Sequence, residues 1–185
     1  MISPKSSIPQ DSRCEHVTVV QGDYRISDDH NIVLSTILGS CVAVCLFDEV
    51  AMIGGMNHFL LPGREDDGNE NVKYGTYAME MLINQLIKNG ADRYRLKAKL
   101  FGGGRMTANL SDIGASNIAF GQKFLSDEGI PCVSESVGGL RARRVQFVPT
   151  TGAARQRFVE STQVDEREVA PAAPKLPKQT DITLF

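Results

Sequence analysis

The sequence predicts a single α/β domain of mixed β-sheets packed with a few helices. The chain has 185 residues, which is close to the usual size of one domain. Short runs rich in Val and Ile alternate with longer segments whose apolar residues recur at helical spacing. We expect residues 16–159 to form this domain, residues 1–15 to be a flexible N-terminal segment, and the polar, Pro-rich residues 160–185 to be a disordered C-terminal tail.

Each predicted element has a local signal. β-branched residues favour the strands, and an apolar face at helical spacing favours the two helices, each of which ends just before a glycine. In chain order, the predicted elements are strands at 16–21 and 31–38, apolar strand-like runs at 38–47 and 53–61, a helix at 77–88, a strand at 96–101, a helix at 118–128, and strands at 130–133, 143–148 and 155–159.

The charge balance gives no sign of nucleic-acid binding or of a general attraction to membranes. The formal net charge is −2 at pH 7, and no basic patch stands out as a nucleic-acid footprint. No segment approaches the ~20 apolar residues of a membrane span, and the N-terminal residues lack the apolar stretch of a signal peptide. We therefore expect a cytoplasmic protein whose thiols stay reduced.

The four cysteines are not spaced as a disulfide framework or a zinc site. Cys41 and Cys45 lie four places apart on one predicted strand, so their Cα atoms would be about 13 Å apart, beyond disulfide reach. No Cys or His pair has the close spacing of structural zinc ligands. We expect separate thiols, no metal site and no other cofactor.

The two apolar runs carry a cysteine and a histidine that a hairpin would bring together. A hairpin centred between Glu49 and Val50 places Cys41 directly opposite His58, with Cβ atoms roughly 4.5–5.5 Å apart. A histidine at this distance can take the thiol proton, and its imidazolium would lower the pKa of the thiol. The alternative is a core strand pair with a buried thiol and an incidental histidine.

The residues just before Cys41 favour the catalytic interpretation. Gly39 and Ser40 suit a bend that exposes the thiol and directs backbone N–H groups at a substrate. Such N–H groups could stabilise an oxyanion. We therefore predict Cys41 as nucleophile and His58 as base, with Gly39 and Ser40 forming the oxyanion-binding turn.

Several motifs, in one order along the chain, resemble the CheD family of chemoreceptor glutamine deamidases from bacterial and archaeal chemotaxis. The resemblance covers roughly residues 16–159, and its motifs lie at 38–44, 54–58, 61–62, 73–76, 99–106, 113–117 and 137–143. It implies a CheD-like fold, distantly similar to that of bacterial toxin deamidases. It also implies a hydrolase that converts glutamine side chains of methyl-accepting chemoreceptors to glutamate through a cysteine thioester.

The resemblance further implies a threonine upstream of the cysteine that orients the histidine ring. Ser35 stands six places before Cys41, and Thr36 stands five places before it. Neighbours along a strand face opposite ways, so only one of the two hydroxyls can point toward the site. Ser35 is preferred by position, and Thr36 is the alternative.

Two further features lie near the end of the domain. The glycines at 102–104 lack the residues that complete a phosphate-binding loop or a dinucleotide fingerprint, so we predict a tight turn close to other backbone. Arg141, Arg143 and Arg144 form a predicted basic cluster. Arg141 and Arg144 are candidates for contact with acidic receptor helices; the alternative is a solvated strand face.

Other functions are compatible with the same sequence. The chain could be a signalling adaptor that binds receptors and a CheC-type phosphatase of phosphorylated CheY with little turnover of its own. A cysteine thioester could also be passed to an amine, as in a transglutaminase, or formed from a glutamyl methyl ester. The resemblance favours hydrolysis of the amide.

Overall fold

The computed structural model of the protein describes residues 14–61, 68–106 and 113–159, with backbone only for residues 68–71. The predicted C-terminal tail and nearly all of the predicted N-terminal segment lie outside these residues. The first strand begins at Glu15, one residue before the predicted start of the domain. The described residues form one α/β domain with two mixed β-sheets, so the predicted fold class is confirmed.

The described residues contain nine strands, two α-helices and one short 3-10 helix. In chain order they are β1 (Glu15–Thr18), β2 (Tyr24–Ser27), β3 (Ile32–Leu38), β4 (Val42–Asp48), β5 (Ile53–Phe59), α1 (Gly68–Lys88), the 3-10 helix Arg93–Arg95, β6 (Lys97–Gly102), α2 (Ile113–Asp127), β7 (Cys132–Val137), β8 (Arg143–Phe147) and β9 (Ala154–Phe158).

The structure differs from the predicted elements at one strand that was not predicted, at one displaced strand and at the starts of both helices. β7 is Cys132–Val137, whereas a strand was predicted at 130–133. β2 has four residues, too few for an alternating pattern to be recognised. Both helices begin earlier than predicted, α1 at Gly68 and α2 at Ile113, because their first turns are rich in polar residues and glycine and carry little apolar periodicity.

The molecule is built in three layers. One sheet has the strand order β1-β3-β8-β9, and the other has the order β2-β5-β4-β6-β7. Central strand β4 is buried along its whole length. Its odd-numbered residues, such as Ala43 and Cys45, face a core between the two sheets. Even-numbered residues, such as Val44 and Leu46, face a second core beneath the helices, which explains why the run is continuously apolar.

β4 and β5 form the predicted hairpin, but with a different register. His58 lies opposite Ala43, so the expectation that Cys41 faces His58 directly is wrong. Cys41 precedes Ala43 by two residues and lies just outside β4. Because side chains alternate between faces, a displacement of two residues leaves Cys41 and His58 on the same face of the sheet.

Asp48 gives the physical reason for the different register. It was expected in the turn, yet it is the last residue of β4 and its side chain is fully buried. Asp48 Oδ1 accepts hydrogen bonds from the N–H groups of Val50 and Ala51 at 3.0 and 3.1 Å. Asp48 Oδ2 lies 2.8 Å from Arg95 Nη2. The turn is thereby moved one residue along the chain and ends at Met52, whose φ is 52°.

Candidate active site

The chain crosses from one sheet to the other at a bend formed by residues 39–41, which includes the bend predicted at Gly39 and Ser40. β3 ends just before this bend and β4 begins just after it. The Gly39 carbonyl accepts a hydrogen bond from the Gly104 N–H, and the Cys41 carbonyl accepts one from the Gly103 N–H, each at 2.7 Å. These bonds fix the backbone on both sides of Ser40.

The tight turn predicted at residues 102–104 is not present, although the segment does lie close to other backbone, as predicted. Gly102 is the last residue of β6, and the chain continues through Gly103 and Gly104 without a turn or bend. Gly102 has φ of 109°, and a Cβ at this position would lie 2.2 Å from the Cys41 carbonyl oxygen. Gly103 has φ of 66°, and a Cβ there would lie 2.4 Å from the Ile118 side chain. This glycine segment, residues 102–104, therefore passes between the bend and helix α2 at a distance that only glycine allows.

The Cys41 side chain belongs to the core between the two sheets and is 4% exposed, so the expectation that the bend exposes the thiol is wrong. Cys45 lies on the same face of β4, farther from the bend, and is fully buried. Burial raises the pKa of the Cys45 thiol above its ordinary value, with a smaller opposing effect from Lys99. Cys45 is thus a protonated core thiol. All four cysteines are present as thiols.

His58 reaches from the five-stranded sheet to Thr36 on the four-stranded sheet. His58 Nδ1 lies 2.9 Å from Thr36 Oγ1 and 3.2 Å from the Val19 carbonyl oxygen. Thr36 Oγ1 donates its proton to the same carbonyl at 2.8 Å, so its oxygen accepts from His58 Nδ1–H. This network assigns the proton of the neutral ring to Nδ1 and leaves a lone pair on Nε2.

His58 Nε2 is buried and has no hydrogen-bond partner within the described part of the chain. Burial lowers the pKa of His58 to about 4, against a smaller opposing effect of the Val19 carbonyl. The ring is therefore neutral near pH 7 and can accept a proton at Nε2. A resting imidazolium, as expected from the sequence, is therefore not favoured, and His58 rests as the neutral imidazole.

The hydroxyl that contacts His58 is that of Thr36, so the preference for Ser35 is wrong. Thr36 shares a face of β3 with Leu34 and Leu38, which pack in the core between the sheets. Ser35 is the neighbour of Thr36 along the strand and therefore lies on the opposite face. Position relative to Cys41 did not identify which face of β3 the five-stranded sheet covers.

The expectation of one cluster of three arginines is also wrong, because Arg144 faces away from the other two. The guanidinium groups of Arg141 and Arg143 both lie over the Phe158 ring. Arg143 is buried and donates to the Gly138 carbonyl. Arg144 follows it along β8 and faces the other side of the sheet. Arg141 is exposed, with its guanidinium 4.2 Å from the centre of the Phe158 ring.

A cleft of about 240 Å³ lies beside the glycine segment at residues 102–104. It is lined by Gly103 and Ile118 on one side and by the 138–140 segment on the other. Leu140, which lines the cleft, is 77% exposed. Because Gly103 also bonds to the bend, this cleft is an accessible surface close to Cys41.

Sequence reasoning missed one buried polar residue at the site, Asn117 of helix α2. Asn117 is fully buried and hydrogen-bonds to the backbone of Ser40 and Leu61. Its position among the apolar residues of a helical face was the available signal, since a buried carboxamide requires partners.

Neither a cluster of metal-binding side chains nor a membrane-spanning helix is present in the described residues. No group of three or more His, Cys, Asp or Glu side chains is placed to hold a metal ion in the ranges that the structure describes. Within the same ranges, no helix is long and apolar enough to cross a membrane.

The fold and the site define an α/β protein in which a cysteine-bearing bend and a Thr–His pair are enclosed between two sheets. Residues 60–158 match the family model described as CheD chemotactic sensory transduction. Two similar proteins are both named probable chemoreceptor glutamine deamidase. The one from Caulobacter sp. strain K31 is 53% identical over 91% of this chain and 92% of its own length. The one from Ruegeria sp. strain TM1040 is 51% identical over 91% of this chain and 95% of its own length.

The chain therefore belongs to the CheD family, as the motifs indicated. Among solved structures, hypothetical protein YfiH of Bacillus licheniformis aligns with 62% of this chain and 50% of its own, at 16% identity and a TM-score of 0.44.

Proposed function

We propose that this protein is a protein-glutamine deamidase that hydrolyses glutamine side-chain amides of methyl-accepting chemoreceptors to glutamate in chemotaxis signalling. The observation that carries the proposal is the hydrogen bond that holds His58 Nδ1 and leaves Nε2 as a base, on the face of the sheet that Cys41 shares. The receptor substrate is inferred from the names of the relatives. We place the reaction in the cytoplasm.

The first half of the proposed reaction forms a thioester. His58 Nε2 takes the proton of the Cys41 thiol as sulfur attacks the carboxamide carbon of a glutamine side chain. Backbone N–H groups of the bend at Gly39 and Ser40 stabilise the oxyanion that develops on the former amide oxygen. The C–N bond then breaks, and His58 returns the proton to the departing nitrogen, which leaves as ammonia.

The second half releases glutamate. Water attacks the thioester carbon and gives a proton to His58 Nε2. The C–S bond breaks, the sulfur recovers the proton as a thiol, and the receptor keeps a new carboxylate. Throughout, Thr36 holds the Nδ1 side of the ring, which orients Nε2 toward the reacting groups. A new negative charge on a receptor helix is a change that can bias signalling.

Substrate docking is proposed at the cleft. Arg141 is exposed and follows Leu140, which lines the cleft, so its positive charge suits an acidic receptor helix. Arg144 was proposed for the same role, but it faces the other side of β8. We therefore expect Arg141→Glu to raise KM on the receptor more than Arg144→Glu does, with neither changing turnover of a small amide.

A signalling adaptor that binds receptors and a CheC-type phosphatase is the second candidate. A protein can keep Cys41, His58 and Thr36 in place and still act mainly by binding its partners, so the presence of the site is compatible with an adaptor. Within acyl chemistry, transglutamination and ester hydrolysis share Cys41 and His58 with the proposed deamidation. Mass spectrometry of the receptor distinguishes them, since deamidation replaces an NH₂ group with OH whereas crosslinking joins two chains.

The decisive experiment measures ammonia release from a purified receptor cytoplasmic fragment. We expect release by the wild type, no release by Cys41→Ala, and release close to wild type by Cys45→Ala. Cys45 is the matched control because it is a buried thiol in the same core, four residues farther along the chain. Absence of release from the wild type would favour the adaptor, and equal release from Cys41→Ala would exclude the cysteine nucleophile.

A further inference from the structure

Asn117 makes two hydrogen bonds that link the two segments on which the proposed chemistry depends. Its Nδ2 donates to the Ser40 carbonyl at 2.9 Å, and its Oδ1 accepts from the Leu61 N–H at 2.8 Å. The chemistry of the partners fixes the orientation of the carboxamide, since a carbonyl can only accept and an N–H can only donate. Ser40 precedes Cys41, and Leu61 follows β5, the strand that carries His58.

The carboxamide occupies the place where the β4–β5 ladder would continue. The last described pair of this ladder is Val42 with Phe59. Two residues farther along, the same register would place Ser40 opposite Leu61. Asn117 bonds to both of these residues and so spans the gap between the diverging strands. One side chain thereby sets the separation of the bend and the end of β5.

Close glycine contacts allow helix α2 to place Asn117 at this gap. A Cβ at Gly114, in the first turn of α2, would lie 2.5 Å from the Gly103 carbonyl oxygen. A Cβ at Gly103 would contact Ile118, the residue after Asn117, at 2.4 Å. The start of α2 is therefore packed against the glycine segment at residues 102–104, which itself bonds to the Cys41 carbonyl through Gly103 N–H. The position of Asn117 is fixed from the helix side as well as from the strand side.

We propose that Asn117 is a positioning residue, which holds the Cys41 bend at the distance from β5 that the reaction between Cys41 and His58 requires. Its part in turnover rests on the proposed deamidase function, whereas its effect on the Cys41–His58 pair does not. Asn117 acts through the backbone of Ser40 and Leu61 rather than on the substrate. Small displacements of reacting groups have large effects on rate, so the predicted consequence is on kcat.

The first test replaces Asn117 with Ala. We expect kcat for ammonia release, per folded molecule, to fall by about tenfold to a hundredfold, with KM within about twofold of the wild type. The matched control is Asn57→Ala. Asn57 is also a buried carboxamide that accepts from a β4 N–H and donates to a helix carbonyl, but it bonds Val44 and Ala78 rather than the bend. Equal kcat losses in the two variants would overturn the proposal.

A second variant gives a signature that a purely structural role would not produce. In Asn117→Asp, the protonated carboxylic acid can still donate to Ser40 and accept from Leu61, whereas the ionised carboxylate can only repel the Ser40 carbonyl. The ratio of variant to wild-type kcat, per folded molecule, should therefore fall as the pH rises. A ratio that does not change with pH would contradict the proposal. This variant carries the test if Asn117→Ala does not fold.

Alkylation of Cys41 separates failure of this inference from failure of the proposed function, because it needs no receptor. In a Cys14→Ser, Cys132→Ser background, we expect Asn117→Ala to slow the reaction of iodoacetamide with Cys41 at pH 7 toward the rate of His58→Ala. Unchanged alkylation together with unchanged kcat overturns the positioning role. If Asn117→Ala slows alkylation but the wild type releases no ammonia, the positioning role is supported and the deamidase function is refuted.

Discussion

Thr36 Oγ1 lies 2.9 Å from His58 Nδ1 and joins two strands that belong to different sheets. The hydroxyl also donates to the Val19 carbonyl, so its role as acceptor from His58 is fixed rather than free to rotate. The orientation of the histidine ring therefore depends on the packing of the two sheets against each other. The packing of the two sheets thus also determines which ring nitrogen of the proposed base carries the proton.

Replacing Thr36 tests whether Thr36, rather than Ser35, orients the His58 ring. We expect Thr36→Val to lower kcat by about tenfold or more, because Nδ1 loses its acceptor and the ring loses its orientation. Thr36→Ser keeps the hydroxyl and should retain most of the activity. Steady-state ammonia release from receptor fragments measures both.

Ser35→Ala is the matched control, since Ser35 is the adjacent buried hydroxyl on the opposite face of β3. It should leave kcat within about twofold of the wild type, in keeping with the small effect expected away from the site. If Ser35→Ala is the more damaging of the two substitutions, the assignment of Thr36 fails.

The choice between these hydroxyls shows where sequence reasoning reached its limit. The two faces of β3 have the same pattern, Val33-Ser35-Ile37 on one side and Leu34-Thr36-Leu38 on the other. Alternation predicts that one hydroxyl points away, but it cannot say which face the second sheet covers. That information lies in the packing of residues far apart in the chain.

The alternating strands and helices, the bend at residues 39–41 and the shared face of Cys41 and His58 followed from local pattern and alternation. The hairpin register did not, because Asp48 looks like a turn residue until its partner is known. Arg95 lies far along the chain, and its contact helps to make a buried carboxylate at the end of β4 favourable. Asn117 was missed for the same reason, since both of its partners are backbone groups of distant segments.

Gly102 should tolerate no side chain. A Cβ there would lie 2.2 Å from the Cys41 carbonyl oxygen, and φ is 109°, so Gly102→Ala combines backbone strain with a clash against the bend. Gly90→Ala is the matched control, because Gly90 has a similar φ of 103° but no neighbour within 4 Å of the added Cβ. In urea unfolding, Gly102→Ala should lower the free energy of unfolding by at least about 2 kcal/mol more than Gly90→Ala does.

The same pair of variants reports on activity. Gly102→Ala should also lower kcat per folded molecule, because the group it displaces is the carbonyl of Cys41. Gly90→Ala should leave kcat unchanged, since its site is remote from the bend. Similar losses of stability in the two variants would show that the close approach at Gly102 does not constrain the bend.

Asp48 should anchor the hairpin register. Burial alone raises the pKa of Asp48, but hydrogen bonds from Arg95 and from backbone N–H groups outweigh it and hold the pKa well below its usual range. Asp48→Ala leaves the turn N–H groups of Val50 and Ala51 and the Arg95 guanidinium without this acceptor. We expect a loss of about 1–3 kcal/mol in the free energy of unfolding.

Glu49→Ala is the control for Asp48. Glu49 is the next residue along the chain and pairs with Lys97 at 2.8 Å, but both side chains are exposed. Exposed pairs contribute less than about 1 kcal/mol, so this variant should unfold close to the wild-type urea midpoint. A Glu49→Ala loss as large as that of Asp48→Ala would contradict the anchoring role.

His58 should make the stability of the fold depend on pH in a defined window. Its pKa is lowered by burial from 6.5 to about 4 in the folded protein, so the unfolded chain binds a proton at this residue more readily than the folded one does. Neutral His58 therefore favours folding above pH 6.5, and this contribution is lost as the pH falls toward 4. The shift corresponds to roughly 3 kcal/mol in the free energy of unfolding.

Urea unfolding at several pH values, compared with His58→Gln, measures this contribution. The stability of the wild type should fall more steeply than that of His58→Gln between pH 6.5 and pH 4, because glutamine takes up no proton. His30→Gln, at an exposed histidine, should follow the wild-type curve. Parallel curves for the wild type and His58→Gln would mean that His58 titrates as it does in the unfolded chain. The buried, Thr36-bound neutral ring on which the proposed base depends would then be incorrect.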